Sequence, residues 1–353
     1  MGLKFPHDLE AWQVWEKKQN LLRYLSTKLK KRAEHPDFAL VLALRPEASA
    51  ASVLIALEAI TPTQLVALFT PGFYLEKLGK SVAVLAPKEQ AAYLKDQGFT
   101  EQVNLNSTSN LPGELGRIRE VIAAGHYLPV GEWAYTLACQ QGWTFNVVQH
   151  GLLTPYAPPL PKDSTLLAFS EADAEFWISG RSDITSEVVG SQLFFEAAQQ
   201  AQLGSTTEVS DGLVFLGQMH GAELPRLSFA KSSYEFCQKN GAVYRPHPSE
   251  RDKISTLTHK LWAKKGIKID TSARPLNQSN TPVVSIFSTG VLEAAIRGVP
   301  SWVYHSNPPA WLKEFWDRYG MKQWGGEPTA APAQPELEPA LAIAQYIAHR
   351  LEK

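Results

Sequence analysis

Short apolar runs alternating with helix-like stretches constrain this chain more than any other feature, because only a sheet covered on both faces buries such runs. Phe38 to Leu44 (FALVLAL) predicts a strand, Ser49 to Ile60 a helix, Gln64 to Thr70 a strand and Phe73 to Leu78 a short helix. Ser81 to Ala86 then predicts a strand and Lys88 to Gln97 a helix. Further strands are expected over Arg119 to Ala123, Phe145 to Gln149, Thr165 to Phe169 and Glu187 to Val189, with a helix from Gly131 to Gln141. This alternation is the signature of a doubly wound parallel sheet.

Around 198–212 the sequence AQQAQLGSTTEVSDG has few large apolar residues and many turn formers, which marks a linker. Beyond it the alternation starts again. Strands are expected over Leu213 to Leu216, Ala242 to Tyr244, Ile267 to Ile269, Val283 to Phe287 and Ser301 to Tyr304. Helices are expected near Arg226 to Lys239, Asp252 to Lys265, Val291 to Arg297 and Pro309 to Tyr319. The fold class is therefore α/β, with two Rossmann-like doubly wound parallel-sheet domains in series and a cleft between them. The first domain covers 1–205 and the second 206–335, and a terminal helix over 336–353 packs back on the first.

With 353 residues the chain is long enough for two such cores. A formal net charge of −1 gives no global field for nucleic acid, so a polynucleotide partner is not expected. Two cysteines, Cys139 and Cys237, supply neither a disulfide framework nor a thiolate metal site. There is no signal-like start and no run of about eighteen apolar residues, so the expected location is the cytoplasm. Residues 9–35 read as a basic amphipathic helix, with Leu9, Trp12, Trp15, Leu21, Leu22, Leu25 and Leu29 on one stripe and Lys28, Lys30, Lys31 and Arg32 after it. That pattern suits peripheral contact with the inner membrane surface, and equally a solvated face on a helix packed against its own domain.

Candidate chemistry lies where strands end. In Thr281 to Pro300 (TPVVSIFSTGVLEAAIRGVP), a buried strand breaks at Ser288-Thr289-Gly290 and opens a helix that Gly298 and Pro300 stop. Such a start offers free N–H groups and a positive dipole end to an anion. Glu293, one turn in, suits sugar hydroxyls or simply complements the dipole. In Val243-Tyr244-Arg245-Pro246-His247-Pro248 two prolines stiffen the loop, so Arg245 and His247 can neutralise a phosphate leaving group. The competing structural role for this loop is that Ser249, Glu250 and Arg251 cap the next helix. The strand ending Val147-Val148-Gln149-His150-Gly151, followed by Thr154, presents a histidine suited to proton abstraction, or one that bonds a loop carbonyl. Phe169-Ser170-Glu171 and Gly217-Gln218-Met219-His220-Gly221 are weaker polar loops of the same kind. Phosphate-loop, dinucleotide, zinc-peptidase and nucleophile-elbow motifs are absent.

Taken together, these residues resemble the two-domain GT-B glycosyltransferases, in particular bacterial families that build capsules, teichoic acids and other surface glycans. The resemblance rests on Arg245-Pro246-His247-Pro248, on Ser288 and Thr289 with Glu293, and on His150-Gly151. It implies a nucleotide-sugar donor against the second domain and a glycan or lipid-linked acceptor against the first. Arg245, His247, Gln218, Ser288, Thr289, Gly290 and Glu293 would meet the donor, and Gln149, His150, Gly151 and Thr154 the acceptor. His150 and His247 would be the catalytic pair. Glycerol-phosphate polymerases carry His-Gly-Thr-Pro and Asp-Tyr-Ser-Ser strings. This chain reads His150-Gly151-Leu152-Leu153-Thr154-Pro155 and Ile286-Phe287-Ser288-Thr289 instead, which leaves the sugar unspecified. No paired-aspartate motif sits at a strand end, so no metal and no other cofactor is expected. A nucleotide-sugar epimerase of the same fold and a non-catalytic binder of glycans or a partner enzyme remain as alternatives.

Overall fold

The computed structural model describes residues 2–19, 40–45, 51–105, 115–203, 209–219, 221–272, 276 and 279–353. The chain divides into two units: Gly2–Leu193 with Pro335–Lys353, and Phe194–Gln334.

The first unit opens with α1 (Leu9–Gln19). Its sheet contains β1 (Leu40–Leu44), β2 (Val53–Ala56), β3 (Val82–Pro87), β4 (Glu101–Leu105), β5 (Glu120–Ala123), β6 (Thr144–Val148), β7 (Thr165–Ala168) and β8 (Thr185–Val188), ordered β4-β1-β3-β2-β5-β6-β7-β8. Neighbours from β3 to β8 are parallel, whereas β1 runs antiparallel to both β3 and β4. The sheet is thus doubly wound with one reversed strand. Composition could not reveal this, since β1 is buried along its whole length and such a run looks alike in either direction. From β2 the chain adds β3 on one side and later β5 on the other, so the topological switch point lies between β2 and β5.

Two expectations are exchanged in the structure. The segment expected to be helical, Ser49 to Ile60, holds β2, and the expected strand from Gln64 to Thr70 is helical. Both are short apolar runs whose periodicity cannot separate strand from helix; burial on both sheet faces decides the first. A helix beginning at Pro62–Gln64 decides the second, passing through a π-helical turn, Leu65–Phe69, into α2 (Thr70–Lys77). Pro71 has no N–H for the Ala67 carbonyl, and the Thr70 N–H reaches back to Leu65. A 3₁₀ turn at Lys88–Gln90 leads into α3 (Ala91–Asp96); α4 (Pro129–Gln141) and α5 (Glu171–Ile178) follow, and α6 (Gln192–Leu203) starts at the end of this unit and belongs mostly to the second.

The second unit has a four-stranded, wholly parallel sheet of β9 (Val214–Leu216), β10 (Val243–Arg245), β11 (Val283–Ser285) and β12 (Ser301–Val303), ordered β10-β9-β11-β12. Its helices are α7 (Arg226–Asn240), α8 (Lys253–Lys264), α9 (Gly290–Ile296) and α10 (Ala310–Arg318). The strand expected at Ile267 to Ile269 is a single bridge from Ile269 to Tyr244.

The terminal helix α11 (Pro339–Leu351) belongs to the first unit. Two apolar clusters flank that unit's sheet, fed by alternate residues of the same strands, such as Leu42 and Leu54 on one side and Val41 and Ile55 on the other. Ile343, Ala344, Ile347 and Ala348 of α11 complete the second cluster. Glu338, just before α11, accepts hydrogen bonds from Tyr74 and Gln192. Trp12 and Trp15 of α1 are likewise engaged within this unit, Trp12 edge-on to Tyr127 and Trp15 stacked on Tyr156. The basic cluster Lys28 to Arg32 lies outside the described residues. Among the described residues no helix is long and apolar enough to cross a membrane.

Candidate functional site

In the second unit, strand register brings the expected donor residues to one edge. Leu216 is level with Arg245 and with Ser285, and Ser285 with Val303, so four loops begin within a residue of one another at the C-terminal ends of parallel strands. Gln218 follows β9, Arg245 ends β10 with His247 two residues beyond, and Ser288 to Gly290 follow β11.

Buried polar groups tie these loops together. The Gln218 side-chain oxygen accepts from the Ser285 hydroxyl and the Phe287 N–H, both at 2.9 Å, linking the loops after β9 and β11. Glu250 does the same for the loops after β9 and β10. Its carboxylate accepts from the Met219 N–H and the Tyr244 hydroxyl at 2.9 Å and lies 3.1 Å from His259 Nε2. A Cβ at Gly217 would strike the Tyr244 ring and the Glu250 carboxylate, so glycine is required there. Burial and the Glu250 charge push the Tyr244 hydroxyl well above its ordinary value, keeping it a neutral donor. Glu250 therefore does not cap the following helix; Asp252 does, accepting from the Ile254 and Ser255 N–H groups.

On this frame His247 is exposed, and its Nδ1 accepts the Ser249 N–H at 3.1 Å. The neutral ring thus carries its proton on Nε2. Arg245 is largely buried, with Nη1 3.9 Å from Asp270. At the start of α9, the Ser288 N–H donates to Ser285 Oγ at 3.0 Å and the Gly290 N–H to Ser288 Oγ at 3.2 Å. Thr289 is the half-exposed N-cap. Gly290 lies against the sheet, where a Cβ would come within 2.8 Å of Leu216 and Leu276 side-chain atoms. Burial raises the Glu293 carboxyl above its ordinary value, opposed by the nearby Arg297 charge.

His305 was not singled out from sequence, although it too follows a strand, β12. The Asn307 N–H donates to its Nδ1 at 3.1 Å, which leaves Nε2–H to donate to Ser228 Oγ at 2.9 Å, and burial lowers its pKa. The rule that found His150 would have found it.

In the first unit, Gln149 is buried where β6 ends, its oxygen accepting the Phe169 N–H at 2.9 Å and its Nε2 donating to the Gly151 carbonyl at 3.0 Å. This fixes the turn that presents His150. The His150 Nδ1 lies 3.4 Å from the Val148 carbonyl, and burial lowers the ring's pKa and so favours its neutral form, partly opposed by that contact. Beside it a crevice lined by Thr63, Phe169 and Gln192 has a cavity of only about 10 Å³, room for one water. Gly151 has open space around the position of a Cβ. Thr154 is buried and accepts the Tyr156 N–H at 3.3 Å, which holds the loop's shape. Ser170 serves as the N-cap of α5.

The exchanged strand and helix concealed a carboxylate. Glu58 follows β2 at the switch point, and its Oε2 accepts the Val130 N–H at the start of α4 at 2.9 Å. Burial raises its pKa, partly offset by the Val130 and Gly131 N–H groups. Next to it in the fold, His126 follows β5 and borders a cavity of about 430 Å³ with His7, Tyr135, Lys162, Arg181 and Asp183. Burial, with the Arg181 charge, brings the His126 pKa down to about 4, and its Nδ1 is buried without a hydrogen-bond partner. Among the described residues no cluster of three or more His, Cys, Asp or Glu could hold a metal ion.

No protein-family model and no curated protein matches this sequence. Solved structures do resemble it. UDP-GlcNAc 2-epimerase from Methanocaldococcus jannaschii, in complex with UDP-GlcNAc and UDP, is 14% identical with a TM-score of 0.52 over 85% of this chain and 99% of that one. Another structure of UDP-GlcNAc 2-epimerase from that organism is 15% identical with a TM-score of 0.48 over 85% and 99%. A glycosyltransferase from Rickettsia africae is 12% identical, with a TM-score of 0.48 over 86% and 89%. At this identity the likeness is one of fold. With the two sheets described above, it defines the chain as two Rossmann-like α/β units in series, the GT-B build.

Proposed function

We propose that the protein is a metal-independent glycosyltransferase that moves a sugar from a nucleotide donor to a surface or capsular glycan. The observation that carries this reading is the C-terminal edge of the second sheet, where Arg245, His247 and the Ser288-Thr289-Gly290 turn follow strands in register and buried Gln218 and Glu250 tie the loops together. A diphosphate there would meet a guanidinium, the exposed His247 ring and the hydroxyl-bearing turn, which suits a leaving group that gains charge. Glu293 is the group for sugar or ribose hydroxyls. His150 of the first unit is the residue proposed as base for an acceptor hydroxyl, whose oxygen would attack the anomeric carbon as the bond from that carbon to the diphosphate breaks. The nucleotide leaves with the electron pair.

The test is thermal stabilisation by CMP, CDP, UDP and GDP, with Mg²⁺ and with chelator. Ligand at a hundred times its Kd adds about 2.7 kcal/mol of stability. One nucleotide should stabilise the protein equally in both conditions, and His247→Ala should abolish the effect. His150→Ala should lower turnover with nucleotide affinity retained. Stabilisation by none of the four would transfer the reading to a non-catalytic glycan binder.

A second reading, nucleotide-sugar epimerase, draws support from Glu58, a burial-perturbed carboxylate at the switch point of the first unit. It predicts that the protein alone converts UDP-GlcNAc to its C2 epimer. A transferase would leave that sugar unchanged without an acceptor.

A further inference from the structure

The outer face of α8 is a feature the core of the second unit does not use. Its sequence, KISTLTHKLWAK, turns only Ser255 and Trp262 fully inward. Ile254, Leu257 and Leu261, spaced i, i+3 and i+7, form one stripe away from those two residues and are 48%, 58% and 50% exposed. With about 100° per residue, Lys253, Lys260 and Lys264 fall side by side along one border of that stripe. No acid occurs from Lys253 to Lys265. The nearest, Asp252, is held by Arg226 at 2.9 Å. Leu227, next to Arg226, is 80% exposed. By contrast, α10 buries its apolar residues Leu312, Phe315 and Trp316.

We infer that the outer face of α8 docks on an anionic membrane surface, its aliphatic stripe entering the boundary between head groups and acyl chains while the lysines meet lipid phosphates. The charge is complementary and local, in a chain whose net charge is only −1. The residue types also select lipid over protein. Protein interfaces are enriched in Tyr, Trp and Arg and depleted in Lys, whereas this face offers Ile, Leu, Thr and Lys. The inference is independent of the donor reading and of the amino-terminal segment.

Sedimentation of the full chain with vesicles tests it. The protein should pellet with phosphatidylcholine–phosphatidylglycerol vesicles and not with phosphatidylcholine alone, and high salt should release it. Leu257→Glu should abolish binding. The combined Lys253→Gln, Lys260→Gln and Lys264→Gln variant should weaken it roughly 100-fold, at about fivefold per lysine. All four positions are exposed, so melting temperatures should stay unchanged. Inorganic phosphate at constant ionic strength should not compete; full competition would identify a free-phosphate site and overturn the inference. So would equal binding of both vesicle types, wild-type binding by Leu257→Glu, or dimerisation without vesicles that Leu257→Glu prevents.

Discussion

The starts of α4 and α9 occupy equivalent places in their two sheets, each after a strand at the C-terminal edge, yet they are capped by different chemistry. At α4 the chain supplies its own anion, the Glu58 carboxylate on the Val130 N–H. At α9 the cap is neutral: the Ser288 hydroxyl accepts the Gly290 N–H, and Ser285 accepts that of Ser288. A carboxylate compensates the positive end of the helix dipole, whereas a hydroxyl satisfies a donor and leaves the field in place. Each first turn also carries an acid, Glu132 in α4 and Glu293 in α9, so the two starts differ in the group that takes the leading N–H.

The largest break in this comparison comes from Glu250. Glu250→Ala would leave the Met219 N–H, the Tyr244 hydroxyl and His259 facing a buried void, and should cost about 3–5 kcal/mol in urea unfolding of the second unit. A loss under about 1 kcal/mol would show that the loops hold together without it.

Next is the pH response of the first unit. His126 has its pKa brought down from 6.5 to about 4, so folding favours the neutral ring. The stability tied to it is full above 6.5 and is lost as the pH falls toward 4, by roughly 1–3 kcal/mol. His126→Gln should remove that portion of the acid sensitivity in thermal melts, and an unchanged pH profile would assign it elsewhere.

The smallest effect sharpens the comparison most. Glu58→Ala should cost about 1 kcal/mol, the usual value of a lost cap. It should also make the protein respond to sulfate, because the Val130 N–H would then lack the Glu58 carboxylate. The carboxyl titrates above its ordinary 4.5, so its contribution is full below pH 4.5 and lost as pH rises through the raised folded value. Glu58→Gln should flatten that decline; a parallel curve would mean that Glu58 does not titrate in this range.

Much of this frame was legible in the sequence, and the exceptions have physical causes. Turn formers and strand-end polar groups placed Arg245, His247, Ser288 and His150 correctly at the ends of β10, β11 and β6, because the residues that break an apolar strand are local. Glu58 was hidden, since ASVLIALEAI is rich in Ala and Leu and reads as a helix until neighbouring strands bury both its faces. Glu250 was read as a helix cap because capping needs only the next few residues. Its actual partners, Met219, Tyr244 and His259, come from elements separate in sequence.

By itself the sequence determined the α/β class, two sheets in series, and the polar groups at their strand ends, since alternation, glycine and proline act within a few residues. Only the tertiary structure decided the reversal of β1, the exchange of strand and helix between Ser49 and Thr70, and which polar groups face inward. Strand direction, burial and hydrogen-bond partners depend on residues far along the chain, and only packing brings those together.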